Sequence, residues 1–135
     1  KEIKKITDKI KIFFILHPPT RVSLKKNNLY ENLEKNPRCV LLPRQGFFEF
    51  NNLLVKAEFL ITDGGSNQEE CFYLGTPCLL FRSETERSEG IGENVVVSNF
   101  DPTIIENFVL NYNSYRRQPI PATFSPSRFI VDQLT

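Results

Sequence analysis

"EFLITDGGSNQEECFYLGTPCLLF", residues 58–81, runs from an apolar segment through a polar turn and a helix-like stretch to a Gly-Thr-Pro break and a second apolar segment. Neither "EFLIT" nor "PCLLF" alternates apolar with polar residues, and unbroken apolar strands belong to parallel sheets buried on both faces. Between them "SNQEECFYL" reads as a helix starting near Ser66 or Asn67, with Gly75 as its stop and Pro77 just beyond. A strand, a helix and a second strand at this spacing form a crossover unit, which is right-handed in parallel sheets.

The pattern repeats outward in both directions. Upstream, "KIFFIL" is a buried strand that ends in the loop "HPPT". "RVSLKKNNLYENLEKNP" has the helical spacing Leu24, Leu29, Leu33 and closes at Pro37, and "CVLL" is a second strand. "RQGFFEFNNLLVKA" is a loop followed by a helix, which delivers the chain to "EFLIT". Downstream come the polar loop "RSETERSEGIGEN", a fifth strand "VVV", and "DPTIIENFVLNY", a helix with Asp101 as cap and Pro102 at its first position. "KEIKKITDKI" has helical spacing at Ile3, Ile6 and Ile10; "RRQPIPATFSPS" is broken by proline, and "SRFIVDQLT" closes the chain as a short helix. The alternation predicts an α/β fold: a Rossmann-like parallel sheet with helices on both faces.

The 135 residues, 40% of them apolar, supply one core, so a single domain over 1–135 is expected. Seventeen basic against 16 acidic residues give a net charge of +1, spread along the chain, which argues against nucleic acid or an anionic membrane as partner. No run approaches a membrane span or the apolar core of a signal peptide, so a soluble, cytoplasmic protein is expected. Cys39, Cys71 and Cys78 form no C-x-x-C pair and sit beside no histidine; they are expected as small core residues, with no disulfide framework and no metal site. The chain starts at Lys1 and contains no methionine, which leads us to expect a fragment of a longer protein.

In parallel α/β sheets ligands collect at the carboxyl ends of strands, which singles out the loops "HPPTR", "DGGSNQEE" and "RSETERSEG". In "TDGGSNQEE" the free amides and positive dipole end of a helix favour an anion. Gly64 and Gly65 let a phosphate approach the backbone, the Ser66 hydroxyl can donate to it, and Glu69 or Glu70 can accept from ribose hydroxyls. An ordinary turn with a Ser or Asn cap explains the same residues, and the pattern does not choose between the two. "RSETERSE" sets Arg82 and Arg87 among Glu84, Glu86 and Glu89. It is either a salt-bridged surface loop or an arginine held toward phosphates by carboxylates. His17, the one histidine, is a candidate substrate contact at a strand end. Of Phe47, Phe48 and Phe50, at least one is expected in the core and one is a candidate for stacking on a base.

"LHPPTRVSL", "GFFEFNNLLVKAEF" and "ITDGGSNQEECFYLGTPCLLFRSETERSEG" resemble, in order and spacing, the C-terminal half of UDP-N-acetylglucosamine 2-epimerases. The family's motifs there are His-Pro-Arg-Thr, Thr-Asp-Ser-Gly-Gly-x-Gln-Glu-Glu, Leu-Gly-x-Pro-x-Leu and Arg-x-x-Thr-Glu-Arg-Pro-Glu. The similarity extends from Lys1 to Asp101. Pro19 stands in place of the motif's Arg, Ser88 in place of its Pro, and "GGS" in place of "SGG".

The resemblance implies the glycosyltransferase-B fold, two Rossmann-like halves with the nucleotide sugar between them. This chain would be the C-terminal half without its first strand and without the His-Arg-Arg-Glu-Asn-like loop that opens it. It implies that Gly64, Gly65 and Ser66 cradle the diphosphate, Glu70 binds the ribose, Phe50 lies against the uracil and Arg87 reaches the phosphates and sugar. His17, Thr85 and Glu86 are implied at a sugar or regulatory site. The implied reaction takes UDP-GlcNAc to UDP-ManNAc: a base removes the C2 proton, the anomeric bond breaks as UDP leaves, and UDP returns after reprotonation on the other face. The acidic catalytic residues would lie in a separate N-terminal domain, with no cofactor, and the complete enzyme would be a homodimer serving polysaccharide synthesis. A glycosyltransferase of the same fold using a UDP-sugar donor, or a non-catalytic nucleotide-sugar sensor, would need the same pocket.

Overall fold

The computed structural model describes Ile6, residues 10–121 and residues 126–134. The helix expected over 1–10 therefore lies, apart from Ile6 and Ile10, outside the described residues, as do residues 122–125 of the proline-broken tail. The chain divides into two compact units, Lys1–Leu53 and Leu54–Thr135.

In the first unit β1 (Ile12–Leu16) pairs in parallel with β2 (Cys39–Pro43), Ile12 opposite Cys39 and Leu16 opposite Pro43. The connection departs from expectation twice. "HPPT" is not a loop: helix α1 (Pro18–Lys26) begins at Pro18, with His17 as its cap residue. A proline in the first helical turn gives up only an N–H that has no intrahelical acceptor, and its fixed φ already suits the helix. The expected single helix through residues 21–37 is also broken. Asn28 adopts a φ of 56°, a left-handed conformation that asparagine tolerates, and a second short helix, α2 (Tyr30–Glu34), follows. Helix α3 (Phe47–Lys56) then carries the chain into the second unit.

The second unit holds β3 (Leu60–Thr62), α4 (Gly65–Leu74), β4 (Cys78–Leu80), β5 (Val95–Val97), α5 (Pro102–Asn111), a 3-10 turn (Tyr112–Tyr115) and α6 (Pro126–Leu134). Its strands are parallel in the order β3-β4-β5, so β4 is central, and Cys78, Leu79 and Leu80 are each fully buried. The expected parallel α/β alternation is present, hydrogen-bonded as sheets of two and three strands.

Helix α5 starts as the sequence predicts: the Asp101 carboxylate accepts from the Thr103 N–H at 2.7 Å, Pro102 opens the helix, and Ile105, Phe108 and Val109 face the core. Helix α4 ends at Gly75, whose φ of 70° is left-handed. A Cβ there would overlap the Arg117 carbonyl, because residues 117–120 cross the helix end, Arg117 N–H donating to Gly75 O at 3.0 Å and Ile120 N–H to Tyr73 O at 2.9 Å. Buried Asn94 ties the same corner, donating to Cys71 O at 2.8 Å and Thr76 O at 2.9 Å.

All three cysteines are free and buried, the core role expected of them. Hydrogen bonding to the Cys78 thiol, reinforced by burial, pushes the Cys71 thiol far up, so it stays protonated and unreactive. Among the described residues no helix is long and apolar enough to cross a membrane.

Candidate functional site

Strand β3 ends at Thr62, and the turn Asp63-Gly64 leads directly into α4. The helix starts one residue earlier than its composition suggests. Gly64 is the cap residue and no side chain caps the end, so neither Ser66 nor Asn67 plays the capping part that an ordinary turn would assign them. The Asn67 side chain turns back instead and donates to Thr62 Oγ1 at 2.9 Å, and the same hydroxyl oxygen accepts from the Gly64 N–H at 3.1 Å. The first backbone bond of the turn runs from Gln68 N–H to Gly64 O at 3.3 Å. The amides of Gly65, Ser66 and Asn67 are therefore the first-turn donors of α4, at the positive end of its dipole. Ser66 is exposed there.

The loop after β4 lies across this helix end. Arg87 forms an ion pair with Glu69 through Nη1, and its Nε stands 3.9 Å from Glu86 Oε1. Glu86 in turn accepts from Arg82 Nη1 at 3.3 Å. A hydrogen bond from its own backbone, and the charges of Arg82 and Arg87, hold the exposed Glu86 carboxyl below the usual carboxylate range. Arg87 can approach α4 because residue 65 has no side chain: a Cβ on Gly65 would come within 2.5 Å of Arg87 Nε and 3.1 Å of its Cδ. The glycine thus serves a close approach of a cation to the helix end, while Gly64 would tolerate a Cβ at ordinary contact distances of 3.4 Å.

Two polar atoms here are buried without a hydrogen-bond partner: Arg87 Nε and Glu70 Oε2. Burial, and secondarily the negative charge of Glu69, raise the Glu70 pKa above its ordinary value. Below the unfolded pKa the carboxyl is neutral in both states; as pH rises toward the raised folded pKa, the unfolded chain loses its proton first and stability falls. Ionised Glu70 is therefore a cost to the fold at neutral pH. Glu70→Gln is expected to raise the melting temperature of the complete protein at pH 7 and to leave it unchanged near pH 4. Equal melting at pH 7 would refute the burial of this carboxylate.

Gly64, Gly65, Ser66, Thr85, Glu86 and Arg87 thus gather in the second unit around one helix end and one loop, while Glu70 lies farther along α4, beside Glu69. His17 and Phe50 belong to the first unit. His17 is exposed, with its backbone carbonyl accepting from Arg21 N–H at 3.0 Å; Phe50 is half-buried on α3. Phe47 and Phe48 are 65% and 76% exposed, so none of the three phenylalanines is a fully buried core residue as expected. They stand at the amino end of α3, packed edge to face on each other at 5.5 Å. Sequence reasoning missed Thr62, Asn67 and above all Gln68. Nothing in the sequence singles out Gln68: it shares the buried face of α4 with Cys71 alone, and no apolar stripe marks that face.

A sequence model of the family described as UDP-N-acetylglucosamine 2-epimerase matches residues 1–119. The UDP-N-acetylglucosamine 2-epimerase of Methanocaldococcus jannaschii is 35% identical over 122 residues, 89% of this chain and 33% of that protein. The solved structure of UDP-GlcNAc 2-epimerase from the same organism superposes with a TM-score of 0.80 at 31% identity, over 98% of this chain and 38% of that one. Its complex with UDP-GlcNAc and UDP gives 0.78 at 29% identity, with the same coverage. The chain spans about a third of the length of the curated relative it matches. The parallel α/β architecture is that of these epimerases, whose fold is glycosyltransferase-B.

Proposed function

Because the chain belongs to the UDP-N-acetylglucosamine 2-epimerase family, we propose that residues 1–135 act together as the UDP-binding domain of an enzyme that interconverts UDP-GlcNAc and UDP-ManNAc. The observation that carries the reading is the buried, unpartnered Arg87 Nε over the amino end of α4, with a second buried, unpartnered atom, Glu70 Oε2, on the same helix. Buried polar groups normally have partners. A nucleoside diphosphate has the complementary set: phosphate oxygens for a guanidinium and for the amides of Gly65, Ser66 and Asn67, and ribose hydroxyls for a carboxylate.

In this reading the domain holds UDP through the moment of bond cleavage. Negative charge grows on the diphosphate as the anomeric bond breaks, and fixed donors aimed at it stabilise that change. The same donors keep UDP beside the unsaturated sugar so that it can add back. Phe50 would lie against the uracil, and His17, Thr85 and Glu86 would contact the sugar or a regulatory nucleotide. The acid and base that act at C2 would come from another part of the complete protein, a cytoplasmic homodimer.

Incubating the complete protein with UDP-GlcNAc and following the anomeric protons by NMR should reveal UDP-ManNAc. Absence of conversion, with or without additional UDP-GlcNAc as effector, would sink the proposal. Consumption in proportion to an added acceptor would mark a glycosyltransferase instead, and binding without turnover a sensor.

A further inference from the structure

The side chain of Gln68 is fully buried and satisfied at every point by the loop that carries Arg87. Its Nε2 donates to Arg87 O at 3.2 Å and to Glu89 O at 2.9 Å, and its Oε1 accepts from Thr85 Oγ1 at 2.8 Å. The Thr85 oxygen also accepts the Arg87 N–H at 3.2 Å. Two carbonyls facing one end of the amide and a hydroxyl facing the other fix its orientation, since the reverse would set oxygen against two oxygens. The loop has no regular secondary structure through residues 85–89. From these contacts we infer that Gln68, through Thr85, is the positioning residue that sets the backbone of Arg87 over the amino end of α4 and so gives the site its preference for a diphosphate.

This role of Gln68 rests on UDP being the ligand bound at the amino end of α4. What it adds is a division of labour on one helix: the exposed end offers donors to the ligand, while a buried side chain one residue into the next turn clamps the opposing cation at fixed height. Arg87 has a long, flexible stem, so its guanidinium can be preorganised only if its backbone is fixed; the ion pair with Glu69 by itself would let the loop slide. Glutamate at position 68 is isosteric but presents oxygen to both carbonyls, whereas methionine fills the volume and makes no bond.

The test measures affinity of the complete protein for UDP by calorimetry, and for uridine by competition, in Gln68→Met, Thr85→Val, Arg87→Ala and the two double variants with Arg87→Ala. Thr85 lies in a half-buried loop position, so its substitution leaves the core intact even where Gln68→Met folds poorly. Each clamp variant is expected to bind UDP roughly tenfold more weakly with uridine unchanged, and to add little once Arg87 is gone. Equal loss for UDP and uridine, full additivity with Arg87→Ala, or unchanged UDP affinity in both clamp variants would overturn the inference. Unchanged affinity in Arg87→Ala would instead overturn the UDP-site reading, and the inference with it.

Discussion

Phe108→Ala is expected to destabilise the protein by about 3–5 kcal/mol, the cost of emptying a large aromatic site in a core that relaxes only partly. Phe108 is fully buried on α5, edge to face with Phe59 at 5.5 Å and stacked on Tyr115 at 5.3 Å. Phe59 immediately precedes β3 and also packs against Tyr112 at 5.1 Å. The cluster therefore joins α5 and the 3-10 turn to the strand that delivers the chain to Asp63 and Gly64. The measurement is the midpoint of urea unfolding of the complete protein, followed by a probe in this domain. A loss below about 1 kcal/mol, the range of peripheral substitutions, would mean that Phe108 is not at the centre of the core.

What the sequence discloses of this fold follows the range of the forces involved. The crossover from "EFLIT" to "PCLLF" was legible because apolar runs, a glycine stop and a proline act within a few residues of themselves, and β3, α4 and β4 lie where they were expected. Division of the strands into ladders of two and three was not, because strand pairing is a long-range choice that no single segment encodes. The start of α1 was misread because a proline pair ends a strand and opens a helix with equal ease, and only the surroundings decide. At the site, the family resemblance singled out Glu70 from Glu69 and Arg87 from Arg82, while the charged residues as a group declared themselves by charge and the glycines by the backbone freedom the loop requires. Gln68 did not, since a neutral amide inside a helix has no composition signal; its importance lies in partners on a loop 17 to 21 residues away.

Arg87→Ala and Glu70→Ala are each expected to weaken UDP binding by about 1–3 kcal/mol, the loss of a charge-assisted hydrogen bond, but through different parts of the ligand. The guanidinium of Arg87 lies over Gly65 at the amino end of α4, so its loss should be felt by UDP and not by uridine. Glu70 is a carboxylate with one buried oxygen and no partner there, and it offers nothing to a phosphate but repulsion. Its loss should be felt by UDP and not by the analogue lacking both ribose hydroxyls. The pH profiles separate them as well. As pH falls through the raised pKa of Glu70 the carboxylate gains a proton and accepts ribose hydroxyls more weakly, so UDP affinity should decline there. The diphosphate's own protonation also weakens binding on acidification, so the diagnostic quantity is the difference between the parent and Glu70→Ala profiles, which should appear only at the acid end. Arg87→Ala should retain that acid-end difference, because Arg87 is not what sets the Glu70 pKa: burial and Glu69 are. Identical profiles in parent and Glu70→Ala would remove Glu70 from the ribose, and unchanged UDP affinity in Arg87→Ala would remove the cation from the diphosphate.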